Sequence, residues 1–273
     1  MEALTVPLRI GIFGACGRMG RRIAEIANAD KEFQVAAGIE YPGHPAVGQS
    51  LGKLCSIPDL EAPLVGSLHK VINDTDCIIA FATPEATLDC MRDAHADRKP
   101  LVIGTTGFNP DQLEEIKRLS QHVPCLMSAN MSIGINVLLA LSKQLAKLIG
   151  DSFDIEIVEA HHNQKKDAPS GTAFMLGEAI AEATNRTLSA NAVYGRQGII
   201  GPRPKVEIGI HAIRGGDIVG DHTVIFAGQG ERIELTHRAH SRDNFARGAL
   251  LAAQFIIRQP AGLYTMQDAL KLT

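Results

Sequence analysis

The sequence predicts an α/β chain in two domains: a parallel-sheet domain over residues 1–130 and an α+β domain over 131–240 with a mixed sheet. Three observations predict this. Up to about residue 130, short apolar runs of strand length alternate with longer amphipathic stretches of helical period. Beyond residue 200, three strand candidates follow one another with no helix between them. The length, 273 residues, is about twice that of a common single domain.

The elements follow in order. Leu8–Phe13 is an apolar strand that runs into glycine, and Arg18–Ala29 carries Met19, Ile23, Ile26 and Ala27 at helical spacing. Phe33–Ile39 is a second strand, and Cys77–Phe81 and Leu101–Ile103 are two more. Pro84–Ala96 and Asn109–His122 are the helices after them, each with proline in or near the first turn, where its missing N–H leaves no bond unmade. Cys125–Met127 is a further strand, Ile135–Gly150 an apolar helix, Asp154–Glu159 a strand and Ser170–Thr184 a helix. Val206–Ile213, His222–Ala227 and Arg232–Arg238 are the successive strands. Asn244–Arg258 is helical again, and helices in 241–273 are expected to pack back on the first domain. Alternation of strand and helix implies a parallel sheet covered on both faces, with the ligand crevice at the carboxyl ends of its strands.

Composition narrows the function. Hydrophobic residues make up 45% and charged residues 21%, which excludes a disordered chain or a small disulfide scaffold. With 27 basic and 30 acidic residues, a formal charge of −3 and no charged tail, nothing attracts nucleic acid or an anionic membrane in general. Leu119–Ser142 contains no Asp, Glu, Lys or Arg, but Pro124, Asn130, Asn136 and several serines suit a buried strand, loop and helix better than a membrane span. Met1–Arg9 lacks the basic start and apolar stretch of a secretory signal. The five scattered cysteines form no CxxC pair, which favours reduced thiols, a cytoplasmic location and no metal site.

Two segments carry chemistry. Gly14-Ala-Cys-Gly17-Arg-Met-Gly20 joins the first strand to the first helix as GxxGxxG. Gly14 permits a tight turn, Gly17 lets backbone N–H groups approach a pyrophosphate, and Gly20 lets the helix pack closely on the sheet. An ordinary strand–helix turn would look the same. However, the strand before, the amphipathic helix after and Glu40, placed to accept bonds from ribose hydroxyls, together favour a Rossmann-like dinucleotide site. Tyr41 stands where a cation would attract the 2′-phosphate of NADP, so NADH is favoured, with Arg18 and Lys70 as the cations available for NADPH.

The second segment is Glu159-Ala-His-His-Asn-Gln-Lys165-Lys-Asp-Ala-Pro-Ser-Gly-Thr172. His162 and Lys165, with the N–H groups of Gly171 and Thr172 behind the N-cap candidate Ser170, suit a small anionic substrate. A histidine that titrates near neutral pH can move a proton. A metal pair or a merely solvated Lys165-Lys166-Asp167 loop are the plainer readings, and no third ligand completes the first. His69, His95, His122 and His211 have no supporting constellation, and Arg238, His240 and Arg242 form a lesser anion candidate.

The chain resembles, nearly end to end, the dihydrodipicolinate reductase family of bacterial lysine and diaminopimelate biosynthesis. The resemblance rests on the glycine loop, Gly104-Thr-Thr-Gly107, Ser128-Ala-Asn-Met-Ser-Ile-Gly-Ile-Asn136 and the Glu159–Thr172 segment. Arg214-Gly-Gly-Asp-Ile-Val-Gly220 and Gly230-Glu-Arg through Thr-His-Arg-Ala-His-Ser-Arg242 add to it. The glycine loop is shared with many dehydrogenases, whereas Glu-Ala-His-His with Ser-Gly-Thr is specific to this family.

The resemblance implies an oxidoreductase that uses NADH or NADPH to reduce 4-hydroxy-tetrahydrodipicolinate, a cyclic dicarboxylate, to tetrahydrodipicolinate. It implies that Gly14, Ala15, Cys16, Gly17, Arg18, Met19, Glu40 and Tyr41 bind the nucleotide. Gly104, Thr105 and Thr106 would lie near the nicotinamide ribose, and Ser128, Ala129, Asn130 and Met131 beside the nicotinamide. His161 would be the proton donor and Lys165 a second catalytic donor and substrate anchor, while His162, Ser170, Gly171 and Thr172 would hold a substrate carboxylate. A homotetramer assembled through the second domain's sheet is implied. Closure of the two domains would exclude water from the hydride-transfer site, as lids commonly do. Many members carry Arg where Tyr41 stands, and glycine is frequent at Cys16, where a thiol facing the pyrophosphate would make cofactor binding oxidant-sensitive. The competing readings are another nicotinamide-dependent dehydrogenase of amino-acid metabolism, which would need a different substrate loop, and a non-catalytic NADH sensor, which would usually carry an added partner module.

Overall fold

The alternation read from the sequence is the alternation of the chain. The computed structural model describes residues 6–272. In order the elements are β1 (Leu8–Phe13), α1 (Arg18–Asn28), β2 (Phe33–Ile39), α2 (Leu51–Cys55), β3 (Leu64–Val65), β4 (Cys77–Ala80), α3 (Pro84–Ala96), β5 (Leu101–Ile103), α4 (Pro110–Ser120) and β6 (Pro124–Met127). Then come α5 (Ile133–Ile149), β7 (Asp154–His161), α6 (Gly171–Ala183), α7 (Leu188–Asn191), β8 (Ala192–Val193), β9 (Ile208–Arg214), β10 (Gly220–Ala227), β11 (Arg232–Ala239), α8 (Asp243–Ile256), β12 (Gly262–Tyr264) and α9 (Met266–Ala269). Two compact units result: one ends at Ile133 and takes up Asp243–Lys271, the other spans Gly134–Arg242.

The first unit is a seven-stranded sheet in the order β12-β6-β5-β4-β1-β2-β3, every pairing parallel. The chain winds outward from β1 in one direction and from β4 in the other, so the switch point of a doubly wound sheet lies between these strands. Alternate residues along a strand face opposite sides. Ile10, Ile12 and Ile79 share one core with Ile23 of α1 and Ala249 and Ala253 of α8. Ile78, Ala80 and Ile103 share the other with Leu88 and Met91 of α3 and Ile116 of α4. Each Ile, Leu or Met among them, fully buried, contributes about 1.5–3 kcal/mol, which holds the helices to both faces.

Local chemistry sets the helix starts. Thr83 accepts from the Ala86 N–H to open α3, and Asn109 with Gln112 forms a capping box at α4. Asp243, in the first turn of α8, accepts two bonds of 2.6 Å from Arg22 of α1, which docks α8 in this unit. The helices expected in 241–273 therefore include a strand: β12 extends the sheet beside β6. The Leu119–Ser142 run forms the end of α4, β6, a loop and the start of α5. Among the described residues no helix is long and apolar enough to cross a membrane.

The second unit is a mixed sheet in the order β11-β10-β7-β9-β8. Central β7 pairs antiparallel with β10 and parallel with β9. Ile155 and Ile157 of β7, Ile208 and Ile210 of β9 and Val224 and Phe226 of β10 pack with Leu138 of α5 and Leu176 and Ile180 of α6. Continuing at the same period, β7 places Glu159 and then His161 on that inward face.

Candidate functional site

The first unit builds a nucleotide-sized cavity at its switch point. Its volume is about 770 Å³, and Gly14, Cys16, Gly17, Glu40, Tyr41 and Phe81 are among its walls. Gly14 has φ +80, and a Cβ there would lie 2.2 Å from the Phe81 carbonyl oxygen, so only glycine fits this turn. At Gly20 a Cβ would sit 2.4 Å from the Gly14 carbonyl oxygen, which is the close helix–sheet approach.

The loop N–H groups do not behave as the sequence suggests. Gly14 and Ala15 donate to the Ile39 carbonyl, Gly17 donates to the Gly14 carbonyl, and Cys16 donates to the Glu40 carboxylate at 3.1 Å. The anion site moves one step along: Gly17 is the N-cap of α1 with no side-chain cap, so the first-turn N–H groups at Arg18 and Met19 face what binds there. The bare glycine cradle and the uncapped helix start fit a dinucleotide pyrophosphate.

Glu40 spends one oxygen on Cys16 and the other on the Tyr41 N–H at 3.2 Å. Tyr41 is 59% exposed and meets His44 edge-on at 5.3 Å. Burial, with Glu40 beside it, pushes the Cys16 thiol up to about 11. That keeps the thiol protonated and argues against the oxidant sensitivity expected of it, because the thiolate is the reactive form.

Other predicted residues stand at the ends of β5 and β6, outside the walls of this cavity. A Cβ on Gly104 would meet the Phe81 ring at 2.1 Å. Thr105 is buried; its Oγ1 accepts from the Ala82 N–H at 3.1 Å and shares a bond with Thr87 Oγ1 at 2.7 Å. Ser128 Oγ donates to the Asn130 carbonyl, and Asn130 Oδ1 accepts from the Ser132 N–H. The side chains of Ala15 and Met131 lie in the core, so these two offer only backbone to a ligand. Sequence reasoning missed Phe81, His44, Asp89 and Asp93, which also line the cavity; no local pattern marks them.

The second unit gathers the other predicted residues around the end of β7. Register explains how: His161 lies opposite Arg214 of β9, and Glu159 lies opposite His222 of β10. His161 Nδ1 is 2.6 Å from Glu159 Oε2. Arg214 donates two bonds of 2.8 Å to the same carboxylate, and the Ser170 N–H donates to its other oxygen at 3.0 Å. Ser170 caps α6 through Ala173 and meets His222 Nε2 at 3.1 Å. Lys165 Nζ pairs with Asp167 at 2.9 Å. The turn at His162 accepts the Lys165 N–H through its carbonyl. A Cβ added at Gly171 would meet nothing within 4 Å, so the start of α6 is open to a ligand.

The charges follow from this packing. Burial alone would raise the Glu159 carboxyl, but Arg214, His161 and the Ser170 N–H hold it below its ordinary value. Burial lowers His161 against the pull of Glu159. It drives His222, 4% exposed, down to about 3, with His161 adding to the effect, so that ring is neutral at physiological pH. Arg214 Nε and His222 Nδ1 are buried without a protein partner. Glu159, Arg214 and His222 were given no role from sequence. The signal that finds them is a charged or polar residue in phase with buried apolar ones: Glu159 with Ile155 and Ile157, His222 with Val224 and Phe226.

Among known proteins, the model of the N-terminal part of dihydrodipicolinate reductase matches residues 8–131, and that of its C-terminal part matches 134–270. The 4-hydroxy-tetrahydrodipicolinate reductase of Syntrophobacter fumaroxidans is 48% identical over 96% of this chain and 98% of its own length. That of Desulfotalea psychrophila is also 48% identical, over 97% and 98%. A solved structure, dipicolinate-bound dihydrodipicolinate reductase from Paenisporosarcina sp. TG-14, superposes with a TM-score of 0.76 at 24% identity, covering 96% of this chain and 98% of that one. At that identity the superposition shows the shared fold.

Proposed function

The chain belongs to the dihydrodipicolinate reductase family and is an NAD(P)H-dependent oxidoreductase that reduces 4-hydroxy-tetrahydrodipicolinate in diaminopimelate and lysine biosynthesis, and we propose that His161 and Lys165 carry its catalysis. The observation that carries this reading is the strand end where His161, backed by Glu159, stands with Lys165 and the open start of α6 in one cluster.

When bound, the nicotinamide supplies a hydride. The chain's own residues then have three tasks. Lys165, with the N–H groups of Gly171 and Thr172 at the positive end of α6, holds a substrate carboxylate, and His162 adds to this clamp. Ser170 keeps that helix end in place through its cap. His161 delivers the proton that the reduced ring needs, from Nε2, since Nδ1 is taken by Glu159. In this reading residues 1–130 bind the nucleotide through Gly14 to Met19, Glu40 and Tyr41. Gly104 to Thr106 and Ser128 to Met131 form its nicotinamide end, with Thr105, Asn130 and Met131 acting through backbone and loop geometry. Residues 131–240 bind the substrate.

NADH is the favoured cofactor. Glu40, Asp89 and Asp93 line the cavity, Tyr41 stands at it, and none of the described residues lining it is Arg or Lys. A 2′-phosphate would meet carboxylates there with no cation to offset them. The assembly is a homotetramer through the outer face of the second sheet, which leaves Ile213 exposed, as are Ile199 and Ile200 of the preceding loop. The five cysteines, all free, suit the cytoplasm.

Turnover of His161→Asn and Lys165→Met tests the assignment. Each is expected to fall by roughly 10²–10⁴ with NADH binding intact. Near-normal turnover in both would remove His161 and Lys165 from the chemistry.

A further inference from the structure

The cluster beneath His161 is larger than a lone proton donor requires. Glu159 sits on the apolar face of β7 with its side chain fully buried. A carboxylate in such a place must be compensated or it will not stay charged. Both of its oxygens are occupied: Oε2 by His161 and Arg214 Nη1, Oε1 by the Ser170 N–H and Arg214 Nη2. Arg214 alone would satisfy a structural ion pair. The third and fourth bonds join that pair to the donor histidine on one side and to the helix start that clamps substrate on the other.

We infer that Glu159 is the positioning residue of this site: its carboxylate fixes which nitrogen His161 presents and ties that ring to the N-terminus of α6, with Arg214 as its counter-charge. The inference rests on His161 being the proton donor.

An ionised carboxylate only accepts, so His161 Nδ1 must carry a hydrogen and donate it. That leaves Nε2 as the atom that exchanges a proton with anything else. Gly220 keeps room for it, because a Cβ there would approach Nε2 to 3.1 Å. The groups facing the ring are Glu159 on its own strand, Arg214 on β9, His222 on β10, and Lys165, with its partner Asp167, in the following loop. Lys165 and Arg214 oppose a second proton on His161, and His222, 5.2 Å away between centroids, is neutral. Glu159 is therefore the group that supports the charged ring. Without it the imidazolium has two cations and no anion in contact.

The test is Glu159→Gln in the full chain. It is read by ¹⁵N chemical shifts of the His161 ring and by the pH dependence of kcat, with hydrogen exchange on peptides from β7 and β9 as the check that the second unit is folded. In the native protein neutral His161 is expected as the Nδ1–H tautomer. The variant should lose that preference, titrate at lower pH and turn over on the order of 10²-fold more slowly. Because the protonated ring is the donor, the fall of kcat at high pH should move to lower pH with it. Glu159→Asp, which keeps the charge, should restore most of the profile.

Unchanged ring titration and an unchanged kcat profile would overturn the inference. If Glu159→Gln alone does not fold, Glu159→Gln/Arg214→Gln removes the unpaired cation as well, and loss of the Nδ1–H tautomer is still the expected result. Full turnover in His161→Asn would put the failure on the donor assignment. A slow His161→Asn beside an unaltered Glu159→Gln would put it on Glu159.

Discussion

Glu156 is a strongly held carboxylate of the second unit, and its removal has a calculable consequence. It accepts bonds of 2.8 and 2.9 Å from Arg196 and 2.8 Å from Arg203, and it shares one of 2.7 Å with His211. Burial alone would raise this carboxyl, yet these partners hold it down at about 2 against an ordinary 4.5. At about 1.4 kcal/mol per pH unit, that difference is worth about 3 kcal/mol of stability. Only a fifth of the side chain meets solvent, so screening removes little of it. The sign follows from linkage: the contribution is complete above the unfolded value of 4.5 and is lost as pH falls from there to about 2. Glu156→Gln should therefore destabilise the second unit by about 3 kcal/mol at pH 7, and the gap to the native protein should close near pH 2. Urea unfolding, read by pulsed hydrogen exchange on peptides from β7 and β9, resolves this unit from the other. A loss below about 1 kcal/mol at pH 7, or an equal loss at both ends of the pH range, would refute the reasoning.

Gly14→Ala combines a left-handed backbone with a Cβ 2.2 Å from the Phe81 carbonyl oxygen. It should cost on the order of 3 kcal/mol in the first unit and weaken NADH binding by calorimetry, with the second unit's exchange unaltered. Cys16→Ala should leave NADH affinity within about twofold and mild peroxide should not alter the native protein's binding, since burial keeps the thiol protonated; peroxide-induced loss of NADH affinity that the variant abolishes would contradict this. Tyr41→Arg, at an exposed position beside Glu40, should tighten NADPH binding by about tenfold or more relative to NADH, and an unchanged ratio would mean that Tyr41 does not set the preference.

Periodicity made the larger elements legible. The alternation through β6, the helix starts at Pro84 and Pro110, and the run of β9, β10 and β11 all follow from patterns several residues long. β3 and β8 have two residues each, β12 has three and α2 five. Such lengths carry no period, and pairing to a neighbouring strand decides them. The same limit applied to the sites. Gly14 and Gly20 were legible because a tight turn and a close approach exclude every other residue. Thr105 and Met131 look like binding residues by position, but their side chains turn inward to bond Ala82 or fill the core. Arg214 on β9 reaches Glu159 on β7 over 55 residues of sequence, and His222 on β10 reaches Ser170 at the start of α6 over 52. That distance is set by sheet register, which no local window contains.

The central claim is tested most directly by following oxidation of NADH and NADPH in parallel, with substrate freshly made from pyruvate and aspartate semialdehyde by the preceding synthase. Rapid oxidation that depends on the synthase product, faster with NADH, is the predicted result. NADH that binds but is not consumed when that product is present would contradict it.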